Sequence, residues 1–198
     1  MSTVPRVTTP PRPRPTLVPA AAPRTVVVTD SLYTPVHENR SFWLYLILAV
    51  VVFILVWFLQ NNAQKNGFLD SLRRPGNAVN PALMLVIWAI VLLILVYATS
   101  VGSRTLNGQH RMWINVAFGL NLLLVLLAAV FFYQQRNLTA AFWTVILLLI
   151  ATIWLMYLVY QVSRPAAWLL IIYVIWLVYV AWNQWQLLQL NPNRPLIQ

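Results

Sequence analysis

The chain is 198 residues long, 61% hydrophobic and 8% charged, with a formal net charge of +10. Soluble domains are about 45–50% apolar and about 25% charged, so an ordinary soluble globule is excluded. The absence of cysteine removes disulfides, thiolate nucleophiles, iron–sulfur clusters and cysteine zinc sites. The acidic residues are Asp30, Glu38 and Asp70, too few and too scattered for chemistry that needs two close carboxylates. His37 and His110 flank different apolar runs and lack metal-site spacing. The expectation is a protein that is not an enzyme and has no metal centre or obligatory cofactor.

Residues 1–40 are an arm of distinct composition. They hold 8 of the 13 prolines and no lysine, centred on Pro10-Pro11-Arg12-Pro13-Arg14-Pro15. Such a stretch has neither a helical nor a strand period. It favours extended polyproline II geometry or a solvated, disordered tail. Arg12, Arg14 and Arg24 are its candidate partner contacts. A protein groove lined by aromatics, or a lipid or nucleic-acid surface, would suit them, without specificity for a nucleic acid.

Five charge-free runs follow, each near the roughly 20 residues that a bilayer-spanning helix needs. They cover 41–60, 81–100, 113–133, 139–161 and 165–185. They are too long for strands and too uniformly apolar for surface helices. In hydrocarbon each backbone N–H and C=O must be paired within its own segment, which predicts helices. Trp43, Trp57, Trp113, Tyr133, Tyr160, Trp168 and Trp185 stand near run ends, as in an interfacial aromatic belt. The fold class read from this pattern is an all-α membrane protein: a five-helix transmembrane bundle over 41–191, preceded by the Pro/Arg-rich arm and followed by a short tail at 192–198. The first run starts too late and is too long for a cleaved signal.

Orientation is finely balanced. Arg24, Arg40, Arg104, Arg111 and Arg164 fall on the N-terminal side, and Lys65, Arg73, Arg74, Arg136 and Arg194 on the other. The distant Arg6, Arg12 and Arg14 tip the positive-inside count toward a cytoplasmic N-terminus. The triplets Asn39-Arg40-Ser41 and Asn137-Leu138-Thr139 have the glycosylation form but touch spans, where an enzyme has poor access.

No Asp, Glu, Lys, Arg or His lies inside a run, which argues against proton or ion pumping. The polar residues within them are few: Asn115, Asn121, Thr144, Thr152, Asn183 and Gln184. They suit interhelical hydrogen bonds or contacts with a bound ligand. Large aromatics are many, among them Trp88, Phe131, Phe132, Trp143, Trp154, Tyr157, Tyr173, Trp176, Tyr179 and Trp182. Rings of this kind can hold a flat, greasy molecule, or face lipid and neighbouring helices. Small residues at Ala117, Ala128 and Ala129 permit close helix approach, and an oligomer stays open. Leu158-x-Tyr160-x-x-x-Arg164 matches a sterol-contact pattern that many apolar spans satisfy.

Several of these features together resemble the TspO/translocator (tryptophan-rich sensory protein) family. Its first loop has the form W-Y-x-x-L-[KR]-[KR]-P, and here Phe68-Leu69-Asp70-Ser71-Leu72-Arg73-Arg74-Pro75 stands in that place. A tryptophan follows the family proline after thirteen residues, matched by Trp88, and a Phe-Phe pair by Phe131-Phe132. The family form S-x-x-A-A-x-L-L-x-P-Y-x-x-W resembles Ser163 to Trp176, and its later L-N resembles Leu190-Asn191. The departures are equally clear. The family's W-x-P-P is Asn77-Ala78-Val79-Asn80, the proline before its tyrosine is Ile172, and its Asn-x-x-Trp-Ser is Leu124 to Ala128.

What the resemblance implies is a five-span protein that binds porphyrins, other tetrapyrroles or sterols between its helices. On this chain the pocket residues would be Trp88, Phe131, Phe132, Tyr173, Trp176, Asn183 and Gln184. The alternative is a structural membrane anchor. Its arm would tether a coat or capsid, for example over the internal membrane of a large DNA virus. The first reading expects an internal pocket facing the first loop, and the second a collapsed one.

Overall fold

The computed structural model describes residues 36–76, 78–105 and 107–192. Arg12, Arg14 and Arg24, with the remainder of the arm to residue 35, lie outside these residues, as does the tail from 193. Five α-helices follow one another: α1 Val36–Lys65, α2 Pro81–Gly102, α3 Gly108–Ala129, α4 Leu138–Tyr160 and α5 Arg164–Leu190. All five are long and apolar enough to cross a membrane, as the runs predict. Among the described residues the regular structure is helical throughout.

The helices outrun the apolar runs where polar residues cap them. Asn107 caps α3, which starts five residues before Trp113, with the Asn107 Oδ1 accepting from the backbone N–H of Gln109 (3.1 Å) and His110 (3.3 Å). Asn80 does the same for α2 through Ala82 (2.9 Å), and Asn137 for α4 through Ala140 (2.9 Å). An asparagine at this position satisfies N–H groups that the helix leaves unpaired. Asn137 of the second glycosylation triplet is thus occupied as a helix cap, and the first triplet lies within α1. The start of α1 at Val36 also trims the arm by a few residues.

The end of α1 is set by glycine. Gly67 has φ +67°, its N–H bonds to the carbonyl of Gln64 and that of Phe68 to Ala63, both at 3.1 Å. This is the Schellman arrangement, which needs a left-handed residue that glycine adopts without a Cβ penalty. Its usual apolar contact is present too, since Phe68 and Ala63 are buried in one small cluster. Beyond α3 the chain loosens into a π turn, Val130–Gln134, with Gln135 N–H bonded five residues back to Val130 (3.0 Å). Arg136, at φ +54°, then redirects the chain into α4.

The main core lies among α3, α4 and α5, where Ile114, Leu148, Leu155, Leu170 and Leu177 are fully enclosed. Helix α1 is peripheral: only 11% of its most apolar window is buried, against 44% for α4 and α5. Its outward leucines, valines and aromatics stay exposed, which is stable only with lipid as solvent. Trp43, Trp57, Trp113, Tyr160, Trp168 and Trp185 are exposed near helix ends, as a belt requires. Tyr133 departs from that expectation. It turns inward and its hydroxyl donates to Gln60 Oε1 (3.2 Å), because the π turn rotates its ring toward α1.

A few polar side chains join helices. Tyr45 on α1 donates to Asn115 Oδ1 on α3 (2.6 Å). Thr152 on α4 lies 2.6 Å from Asn121 Oδ1 on α3, within donating distance, and both residues are fully buried. Thr144 instead bonds within its helix, to the Ala140 carbonyl (2.7 Å).

Candidate ligand site

The odd number of helices places the α1–α2 loop, the π turn, the start of α4 and the end of α5 at one end of the bundle. A cavity of about 90 Å³ opens there between the helices, lined in part by Gln60, Trp88, Phe132, Tyr133, Asn183 and Gln184. A second chamber of about 90 Å³ shares Gln60, Met84, Phe132, Tyr133, Asn183 and Leu187 with it and reaches Leu69, Leu72, Arg74 and Pro75 of the loop. The two form one hollow, roofed by the α1–α2 loop. A single water needs about 10–15 Å³, so the closed hollow has room for several waters.

Its walls come from local rules. Trp88 is about two turns into α2, where it meets Tyr173 and Trp176 of α5 edge-on, with ring centroids 6.4 and 6.2 Å away. Tyr173 is fully buried and Trp176 is 9% exposed, and neither lines the hollow. They form its floor by holding Trp88. Trp176 in turn stacks on Tyr179 (5.3 Å), whose hydroxyl accepts from Asn183 Nδ2 (3.0 Å). One contact chain therefore runs from the floor to the polar wall.

The polar wall is made of amides and phenols. Gln60, Tyr133, Asn183 and Gln184 bring donors and acceptors to the hollow without a formal charge, and Arg74 supplies a cation under the loop. Gln184 Oε1 is buried and has no hydrogen-bond partner. A buried acceptor left unpaired costs about 1–3 kcal/mol, so this oxygen favours occupancy by a donor.

The roof is held at three points. Phe68, Leu69 and Leu72 bury themselves against Ala63 and Leu138, with Phe132, Tyr133 and Leu188 alongside. The Arg74 guanidinium donates to the Leu69 carbonyl (2.9 and 3.3 Å). Asn191, just past α5, accepts from the Arg73 N–H and donates to the Arg73 carbonyl, both at 3.1 Å. That two-way bond ties residues 118 positions apart.

A loop-roofed hollow inside five apolar helices, with a tryptophan and one phenylalanine of the Phe-Phe pair at its wall, is close to the architecture that the sequence resemblance implies. The family model described as TspO/MBR matches residues 44–190. The chain belongs to the TspO/MBR family. It is accordingly an integral, multi-pass membrane protein whose helices lie in a lipid bilayer. No curated protein matches the chain.

Within this TspO/MBR bundle the structure brings together four of the seven expected pocket residues as lining: Trp88, Phe132, Asn183 and Gln184. Tyr173 and Trp176 support them from below. Phe131 lines neither chamber, because the π turn directs its partner Phe132 inward instead. Trp143, Tyr157 and Trp182 point out toward lipid, at 56–62% exposure. Gln60 and Tyr133 line the hollow and Asn191 ties its roof, positions that residue patterns alone do not assign to a pocket. The signals were present: Gln60 is the polar end of an apolar run, and Asn191 is the asparagine of the matched L-N pair.

Proposed function

We propose that this TspO-type protein binds a flat hydrophobic molecule, a porphyrin-like tetrapyrrole or a sterol, in the hollow beneath the α1–α2 loop. The observation that carries this reading is the convergence of Trp88, Phe132, Asn183 and Gln184 on one hollow, where the Gln184 Oε1 waits without a donor. Apolar walls with a few placed polar groups are the general form of a small-molecule site. Arg74 at the second chamber suits a ligand carboxylate. On this reading the chain acts as a binder.

Ligand pockets usually run to about 300–1,000 Å³, so a macrocycle enters only when the loop lifts. The small closed volume favours the second reading, a membrane-anchored scaffold. One titration separates them. Full-length protein in detergent is titrated with protoporphyrin IX while tryptophan fluorescence is followed, with cholesterol as competitor. The binding reading expects saturable quenching, weakened about tenfold in Gln184→Leu, as loss of one buried hydrogen bond would give, and reduced in Trp88→Phe and Phe132→Ala. Quenching that fails to saturate, or ignores all three changes, leaves the scaffold.

A further inference from the structure

The α4–α5 hairpin has another hollow on its outward face, away from the loop-roofed one. It measures about 340 Å³, and its lining includes Ile153, Tyr157 and Tyr160 of α4 and Ala167, Trp168 and Ile171 of α5. The α4 members recur at intervals of four and three, so they share one helix face. Ala167, 2% exposed, gives the groove a floor, because a methyl group there leaves the space between the helices unfilled. Tyr157 and Trp168, at 62% and 65% exposure, are its rims. The groove starts at the α4–α5 turn and follows α4 inward for about 10 Å, at 1.5 Å per residue from Tyr160 to Ile153.

A bilayer supplies acyl chains to an apolar groove of this form. The mouth decides which lipid. The Arg164 guanidinium carbon lies 5.6 Å from the centroid of the Tyr160 ring, and the residue is exposed. Among the described residues the one ion pair joins Arg74 to Asp70, at the opposite end of the bundle. Arg164 therefore has an aromatic neighbour and no carboxylate beside it there. An arginine fork matches phosphate oxygens bidentately. The sterol-contact pattern does not converge here, since Leu158 is buried in the main core and its carbonyl is engaged by His110 Nε2 at 3.0 Å.

We infer that the α4–α5 groove binds an anionic phospholipid, with an acyl chain along Tyr157, Tyr160 and Trp168 and the phosphate on Arg164. The test uses full-length protein in nanodiscs of phosphatidylcholine, into which brominated phosphatidylglycerol or brominated phosphatidylcholine is titrated. The Trp168 signal is the fluorescence lost in Trp168→Phe. The expected result is quenching of Trp168 by the brominated phosphatidylglycerol at about fivefold lower lipid fraction than by the phosphatidylcholine, the value of one cation at an anionic surface. Arg164→Gln should abolish that preference, Arg164→Lys should keep most of it, and Arg111→Gln, an exposed arginine at the same end, should leave it intact. Equal quenching by the two lipids overturns the inference. So does a preference that survives Arg164→Gln or falls equally in Arg111→Gln, and so does displacement of the phosphatidylglycerol by cholesterol.

Discussion

The two ends of the bundle are packed by opposite rules. At the end with the α2–α3 and α4–α5 turns, a methyl group on Gly102 would sit 3.0 Å from Val159 Cγ2 and 3.3 Å from Ile114 Cδ1. Between α2, α3 and α4 there is no slack at that point, and His110 ties α3 to the Leu158 carbonyl. At the loop end, two joined chambers of about 90 Å³ remain open, polar atoms face them, and the buried Gln184 Oε1 has no partner. Interiors normally close to crystal-like density. A gap lined by amides and phenols thus sets the loop end apart, and the contrast teaches that close packing holds one end of the fold while loop contacts hold the other.

The largest expected effect is at the closed end. Gly102→Val should destabilise the bundle by about 3 kcal/mol, the upper range for overpacking, seen as a lower midpoint of thermal unfolding in detergent. An unchanged midpoint would mean that the close approach of α2, α3 and α4 is not what holds this end together. Next comes the middle of the bundle. Asn121→Leu removes the polar link to Thr152 and should cost about 1–2 kcal/mol, the upper part of the range for interhelical hydrogen bonds in membranes, again read from the unfolding midpoint.

At the loop end the changes should be local. Asn191→Ala removes both bonds to the Arg73 backbone, and about 1 kcal/mol of loop closure with them. Hydrogen exchange at Arg73 should rise about fivefold, with the midpoint of the whole bundle little altered. If this variant instead melts as early as Gly102→Val, the two ends are one cooperative unit and the contrast fails. The smallest effect is expected from Tyr45→Phe. Loss of the bond to Asn115 should cost about 0.6 kcal/mol, detectable only against a precise reference, because peripheral α1 keeps its other contacts.

Much of the fold could be read from the chain. Five apolar runs separated by charged turns dictate five helices, since a bilayer leaves no other way to pair the backbone. The ends were less legible: Asn107 extends α3 backward and α5 continues to Leu190, because capping and interface residues tolerate helix beyond the hydrocarbon. The site was legible only in part. Trp88, Phe132, Asn183 and Gln184 are where the family resemblance places a pocket. Tyr133 and Phe131 are not where their neighbours in sequence suggest, since a single π turn shifts the register by one residue. Hydropathy is blind to such a shift.

The sequence alone determined the solvent of this protein, the number of its helices and the family to which it belongs, because each of these follows from how apolar residues and a few motif residues are spaced along the chain. Tertiary structure decided which of many aromatics face inward, which polar atoms stay unpaired and what closes the roof. These depend on contacts between residues far apart in the chain, such as Trp88 with Trp176 and Asn191 with Arg73, and no local pattern encodes which two side chains will meet.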